Sequence, residues 1–118
     1  MEKYYNKITG EKRKVHRSST SSANVSTQDN KFRLGQLSTA SRAQLYLAFR
    51  LAMAEENSLL EIPLICDDPL VHFDDSRAEK ALKVLKEVAE EKRQIILFTC
   101  HKRTYNHALK LGATTKEL

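Results

Sequence analysis

At 118 residues the chain is long enough for one compact domain with a modest core and too short for two ordinary ones. With 41% hydrophobic and 30% charged residues, and no apolar run near the roughly 20 residues that cross a bilayer, it reads as soluble, globular and without a membrane partner. The net charge of +5 lies wholly in residues 1–33, where eight Lys/Arg stand against three acids, while the remainder holds twelve of each. That basic lead-in, with Tyr4 and Tyr5 nearby, reads either as contact with a nucleic-acid backbone or as a solvated basic surface. The first residues carry no apolar signal region, which favours a cytoplasmic location over secretion. Cys66 and Cys100 sit in apolar runs and read as small buried hydrophobes kept reduced, with no spacing that suggests zinc or a disulfide.

In chain order, residues 1–17 predict a helix end, a turn at Gly10 and a short strand through Val15. Residues 18–28, rich in Ser and Thr, read as a loop or an irregular hairpin. A strongly helical run follows Ser38-Thr39, either of which is a good N-cap, and Asn57-Ser58 closes it. Leu45, Phe49, Ala52 and Met53 share one face of that helix, and Leu47, Leu51 and Ala54 broaden it. Residues 62–67 predict a strand, with Pro63 at its start. Asp74-Asp75-Ser76 cap a second helix running to about Lys92, with an apolar stripe of Ala78, Ala81, Leu82, Leu85, Val88 and Ala89. Gln94 to Cys100 form a second apolar strand ending at His101, and residues 104–111 a closing helix stopped by Gly112. Strand, helix and strand at this spacing make a βαβ unit, and continuous apolar runs imply a parallel sheet covered on both faces. The expected class is α/β.

The most telling stretch is Leu64-Ile65-Cys66-Asp67-Asp68-Pro69, an apolar strand that stops at two adjacent carboxylates. Burying even one carboxylate without a partner is costly, so such a pair points to a divalent cation beside a phosphate, with the second acid free to orient water. Ligands of open parallel sheets bind beyond the carboxyl ends of the strands, which is where Asp67, Asp68 and His101 all fall. Taken singly, Ser38-Thr39 and Asp74-Asp75 read more simply as helix caps, and His101 as a polar strand end. His72 and His107 carry no functional reading.

Together these motifs look familiar. Leu37-Ser38-Thr39-Ala40-Ser41-Arg42 opening a helix resembles the signature of ABC-type ATPases, Ile65-Cys66-Asp67-Asp68-Pro69 their Walker B strand, Asp74 their D-loop aspartate and Phe98-Thr99-Cys100-His101 their switch histidine. Within that superfamily the chain is similar to the coiled-coil branch of SMC, SbcC and YhaN-like ATPases, firmly over residues 32–103. The resemblance implies one partial P-loop NTPase domain over 1–118: a basic lead-in and Ser/Thr-rich loop (1–31), then the C-terminal lobe of an ABC head (32–118). The phosphate loop, Gly-x-x-x-x-Gly-Lys-Ser/Thr, is missing, since Gly10, Gly35 and Gly112 have no such setting. In the family it belongs to an N-terminal lobe across the coiled coil.

By the same resemblance, Asp67 would hold Mg2+ beside the ATP phosphates, and Asp68, where most relatives carry Glu, would polarise the attacking water as general base. His101 would bond the γ-phosphate, and Asp74 would bridge a dimer. Ser38 and the amides of Thr39 and Ala40 would meet the γ-phosphate of an opposing head, with Thr39 and Ala40 replacing two glycines. Implied partners are an N-terminal Walker A lobe with its coiled coil, a second head, and DNA through residues 1–33. Implied work is ATP hydrolysis in DNA repair or chromosome maintenance, absent in the lobe alone. The alternative is a non-catalytic protein- or DNA-binding module derived from such an ATPase.

Overall fold

The computed structural model describes residues 1–11, 13–19, 22–26, 31–33, 37–56, 62–91 and 93–118. Helix α1 (Glu2–Thr9) is followed by strands β1 (Lys14–Ser19), β2 (Ser22–Ser26) and β3 (Lys31–Arg33), then helix α2 (Thr39–Glu56). The chain continues as β4 (Leu64–Asp67), α3 (Asp75–Glu91), β5 (Ile95–Phe98) and α4 (Lys102–Lys110). The first three strands form an antiparallel sheet in the order β1-β2-β3, and β4 pairs with β5 in parallel. The α/β class and the βαβ unit therefore stand as expected. Of residues 18–28, the described ones lie in β1 and β2, which pair antiparallel as the hairpin reading expects, with a register shift between Arg17 and Ser19.

Helix ends follow local chemistry. Gly10 adopts φ 73°, a left-handed position that glycine takes without steric cost, and its N–H donates to the Asn6 carbonyl at 2.8 Å. Ser38, rather than Thr39, caps α2, its Oγ accepting the Ser41 N–H at 3.1 Å. The proposed stop at Asn57-Ser58 and the end of α3 at Lys92 lie outside the described residues. Asp74 caps α3, where its carbonyl accepts the Ala78 N–H at 2.8 Å.

The core lies among α1, α2, α3 and the loop after β4. It gathers Tyr5 and Ile8 from α1, Leu47, Ala48 and Leu51 from α2, Leu70 and Phe73 from the loop, and Ala81 and Leu85 from α3. This changes two sequence expectations. On α2 the fully buried stripe is Gln44, Leu47, Ala48, Leu51 and Ala54 together with Leu45, whereas Phe49, Ala52 and Met53 are half-buried. The helix is apolar on more than one side, and docking of α1 selects the side that is sealed. On α3, Val84 joins the buried stripe and Ala89 is exposed. With eight residues, α1 spans about 12 Å and cannot cover the whole of α3, about 25 Å long with its 17 residues.

Two α1 tyrosines behave oppositely. Tyr5 is fully buried, and among the described residues its hydroxyl has no hydrogen-bond partner. Such a group gives up its hydration without return, so Tyr5→Phe is expected to stabilise the fold by about 1 kcal/mol, read as a higher urea midpoint at unchanged slope. The Tyr4 hydroxyl donates to Glu55 Oε2 at 2.8 Å, tying α1 to α2. Burial, then that bond and the charges of Glu55 and Glu91, push the Tyr4 pKa from 10.0 up to about 12. A raised pKa means that the folded state holds the proton longer. The contribution is full below pH 10 and is lost as pH rises through about 12. Melting temperature should fall across that window in the parent chain, and less steeply in Tyr4→Phe.

The parallel pair departs from expectation in one respect. Cys66 is fully buried and Leu64, Ile95 and Leu97 pack against the core, but Ile65, Ile96 and Phe98 on the other face are 54%, 37% and 46% exposed. The sheet is covered on one face, because the described helices that contribute to the core all bury its opposite side. Leu64 and Asp68 donate their N–H groups to the Gln94 and Phe98 carbonyls, on the β5 side, so the Ile65 carbonyl lies on the outer edge of β4. Arg50 reaches over from α2 and donates to that carbonyl at 2.7 Å, satisfying one acceptor of an unpaired edge.

Candidate functional site

Two adjacent parallel strands end side by side, Asp67 opposite Phe98, and the chain after each carries the reactive groups. Asp68 extends the ladder by one bond, its N–H donating to the Phe98 carbonyl at 2.7 Å. It then turns with φ 46°, the one described non-glycine residue at positive φ. Asp and Asn are among the few side chains that tolerate this region.

The turn brings the Asp68 carboxylate to three side chains from the end of β5. Thr99 Oγ1 donates to Oδ1 at 2.8 Å, Cys100 Sγ donates to Oδ2 at 3.3 Å, and His101 Nε2 lies 3.2 Å from Oδ2. Thr99 Oγ1 also accepts the backbone N–H of His101 at 3.1 Å, so one hydroxyl ties the acid to the His101 main chain. His101 stands as the N-cap residue of α4. Burial alone would raise the Asp68 pKa, but the hydrogen bonds from Thr99 and Cys100 and the neighbouring His101 outweigh it and hold the carboxyl below its usual range. The same carboxylate pushes the Cys100 thiol up, first through the hydrogen bond and then through its charge.

Asp68 and His101, expected from the sequence to converge, do converge. Asp67 is exposed, on the face that carries Ile65, and no hydrogen bond or ion pair engages its carboxylate among the described residues. Asp74 is exposed at the head of α3, where its carboxylate accepts the Arg77 N–H at 3.4 Å and lies 3.8 Å from the Arg77 guanidinium. Ser38, Thr39 and Ala40 open α2, and among the described residues no hydrogen bond joins them to Asp68 or His101. His72 is exposed and His107 half-buried, both away from this network.

Three residues had no assigned role. Cys100 is exposed and bonded to Asp68, not the small buried hydrophobe expected, whereas Cys66 is as expected; both thiols are free. Thr99 holds the two convergent groups; a hydroxyl immediately before a Cys-His pair at a strand end was the available signal. Arg103 donates to Asp75 at 3.0 Å and to the Leu70 carbonyl at 3.1 Å, tying α4 to the loop between β4 and α3. No helix among the described residues is long and apolar enough to cross a membrane.

No family model matches the chain. The uncharacterized protein YhaN of Bacillus subtilis (strain 168) is 42% identical over 67 residues, 56% of this chain but 7% of YhaN, so the matched part is a small piece of that relative. Among solved structures, a chain from work on ATP-driven dimerization and DNA-stimulated activation of SMC ATPases superposes with a TM-score of 0.73 at 18% identity. That match covers 91% of this chain and 68% of the other. The Smc head domain of Pyrococcus furiosus, solved with an extended coiled coil and bound to the C-terminal domain of ScpA, matches with a TM-score of 0.68 at 16% identity, over 90% of this chain and 28% of its own. In fold the chain matches SMC ATPase heads, and over 67 residues its sequence is similar to YhaN.

Proposed function

We propose that this chain is the C-terminal lobe of an ABC-type ATPase head of the SMC, SbcC and YhaN-like class, a single partial P-loop NTPase domain over 1–118. It hydrolyses ATP only when an N-terminal lobe supplies the Walker A loop and a second head completes the site. The observation that carries this reading is the meeting of Asp68 and His101 at the ends of neighbouring parallel strands, 3.2 Å apart.

Each group has a role that its chemistry fits. The unengaged carboxylate of Asp67 suits a hard cation that takes few protein ligands and keeps waters and phosphate oxygens, as Mg2+ does. Bound there, Mg2+ would offset the charge of the ATP phosphates. Asp68, held below the usual carboxylate range, is a weak base at neutral pH and serves better to orient the attacking water than to take its proton early. Its side chain is one methylene shorter than glutamate, and the turn at φ 46° sets where it reaches. His101 supplies a donor for the γ-phosphate. Asp74, exposed at the head of α3, would exchange its contacts with Arg77 for a bridge to an opposing head. The first amides of α2, at Thr39 and Ala40 behind Ser38, offer a helix N-terminus to the γ-phosphate of that head. In the lone lobe Ser38 is occupied as the α2 cap.

The N-terminal lobe would add its strands at the outer edge of β4 and cover the sheet face of Ile65, Ile96 and Phe98. Basic residues of 1–33 would contact DNA, and the working context would be DNA repair or chromosome maintenance in the cytoplasm. The test is reconstitution. The chain alone should release no phosphate from ATP, and mixing it with an N-terminal lobe carrying the Walker A loop and coiled coil should restore Mg2+-dependent hydrolysis. Hydrolysis by the chain alone, or none in a stable two-lobe complex, would refute the reading.

A further inference from the structure

We propose that Asp68, Cys100 and His101 form a binding site for a thiophilic divalent cation of the Zn2+ type. One ligand atom from each of the three residues lies within 4.8 Å of the other two, with carboxylate, thiol and imidazole supplied together. A tetrahedral site with bonds of about 2.0–2.3 Å has ligand–ligand edges of about 3.3–3.8 Å. The Asp68 Oδ2 to Cys100 Sγ and Asp68 Oδ2 to His101 Nε2 separations, 3.3 and 3.2 Å, already lie near those edges. The remaining separation, thiol sulfur to imidazole nitrogen, is within 4.8 Å.

The donor set chooses the metal. One sulfur, one nitrogen and one oxygen suit Zn2+, and suit poorly a cation that demands six oxygens, as Mg2+ does. Asp67, with an oxygen donor only, lies outside the set. A supporting bond is also in place. Thr99 donates to Oδ1 at 2.8 Å and leaves Oδ2 turned toward the thiol and imidazole, which is how a ligating carboxylate is oriented by its neighbours. Cys100 and His101 are exposed, so an ion can enter and the fourth position stays open to water. On binding, the thiol proton passes to solvent and the sulfur–metal bond forms as thiolate.

Where the ATPase reading holds, the consequence is inhibitory, because the cation would take the water-orienting acid and the γ-phosphate donor out of use together. The binding itself is independent of that reading and is tested on the isolated, reduced, metal-free chain. Titration with Co2+ should give one equivalent with tetrahedral ligand-field bands and a thiolate-to-cobalt charge-transfer band, both displaced by Zn2+. Cys100→Ser, at an exposed position, should keep its circular dichroism and lose the charge-transfer band. Thr99→Val, which retains all three ligands, should weaken Co2+ binding by about 10-fold or more. The absence of a charge-transfer band in the parent chain, or its survival in Cys100→Ser, would overturn the assignment.

Discussion

Asp68→Asn is expected to lower ATP hydrolysis by the reconstituted two-lobe head by about 10²-fold or more, because the attacking water loses the carboxylate that orients it. Asn is the informative replacement because the position has φ 46°, which Asn tolerates nearly as well as Asp. Backbone strain is thus unchanged, and what is lost is the charge and the pair of equivalent acceptors. An amide offers one oxygen, whereas Thr99 engages one carboxylate oxygen and Cys100 and His101 approach the other. The variant should keep its far-ultraviolet circular dichroism and bind ATP with the N-terminal lobe, while phosphate release falls. Hydrolysis within about threefold of the parent would remove Asp68 from the reaction and leave the convergence with His101 as a structural tie between strand ends.

Leu51→Ala is expected to be the most damaging single truncation, at about 2–5 kcal/mol. Leu51 is fully buried in the middle of α2, within the cluster that includes Tyr5 and Ile8 of α1 and Leu82 and Leu85 of α3. Removing its branched end leaves a void that three helices, each anchored by other contacts, can fill only in part. Against a total of about 5–15 kcal/mol for a domain of ordinary stability, that loss is a large fraction, and on the order of 10–20 °C in melting temperature. Urea unfolding at unchanged slope is the direct measurement. A loss below about 1 kcal/mol would show that α1 and α3 close over the gap, and that this three-helix contact is not the support on which the parallel strands rest.

What the sequence by itself determined was local. Ser38 before a helical run, Asp74 before another, Gly10 and Gly112 at helix exits, and an apolar run ending in Asp67-Asp68 each carry their own stereochemistry, so helix starts, strand ends and the chain order of the site residues were all legible. The meeting of Asp68 with His101 was legible too, because parallel strands joined by one helix must end on the same edge. The tertiary structure decided what depends on a neighbour. Hydropathy does not say which side of α2 is sealed when several sides are apolar; the docking of α1 does, burying Leu47 and Leu51 and leaving Phe49 and Met53 half-open. Nor does an apolar strand reveal whether both faces find a cover, and Ile65, Ile96 and Phe98 do not find one among the described elements. Cys100 reads as a hydrophobe only until the turn at Asp68 brings a carboxylate to its sulfur. Burial and hydrogen bonding belong to pairs of segments, and a pair exists only once the chain has folded.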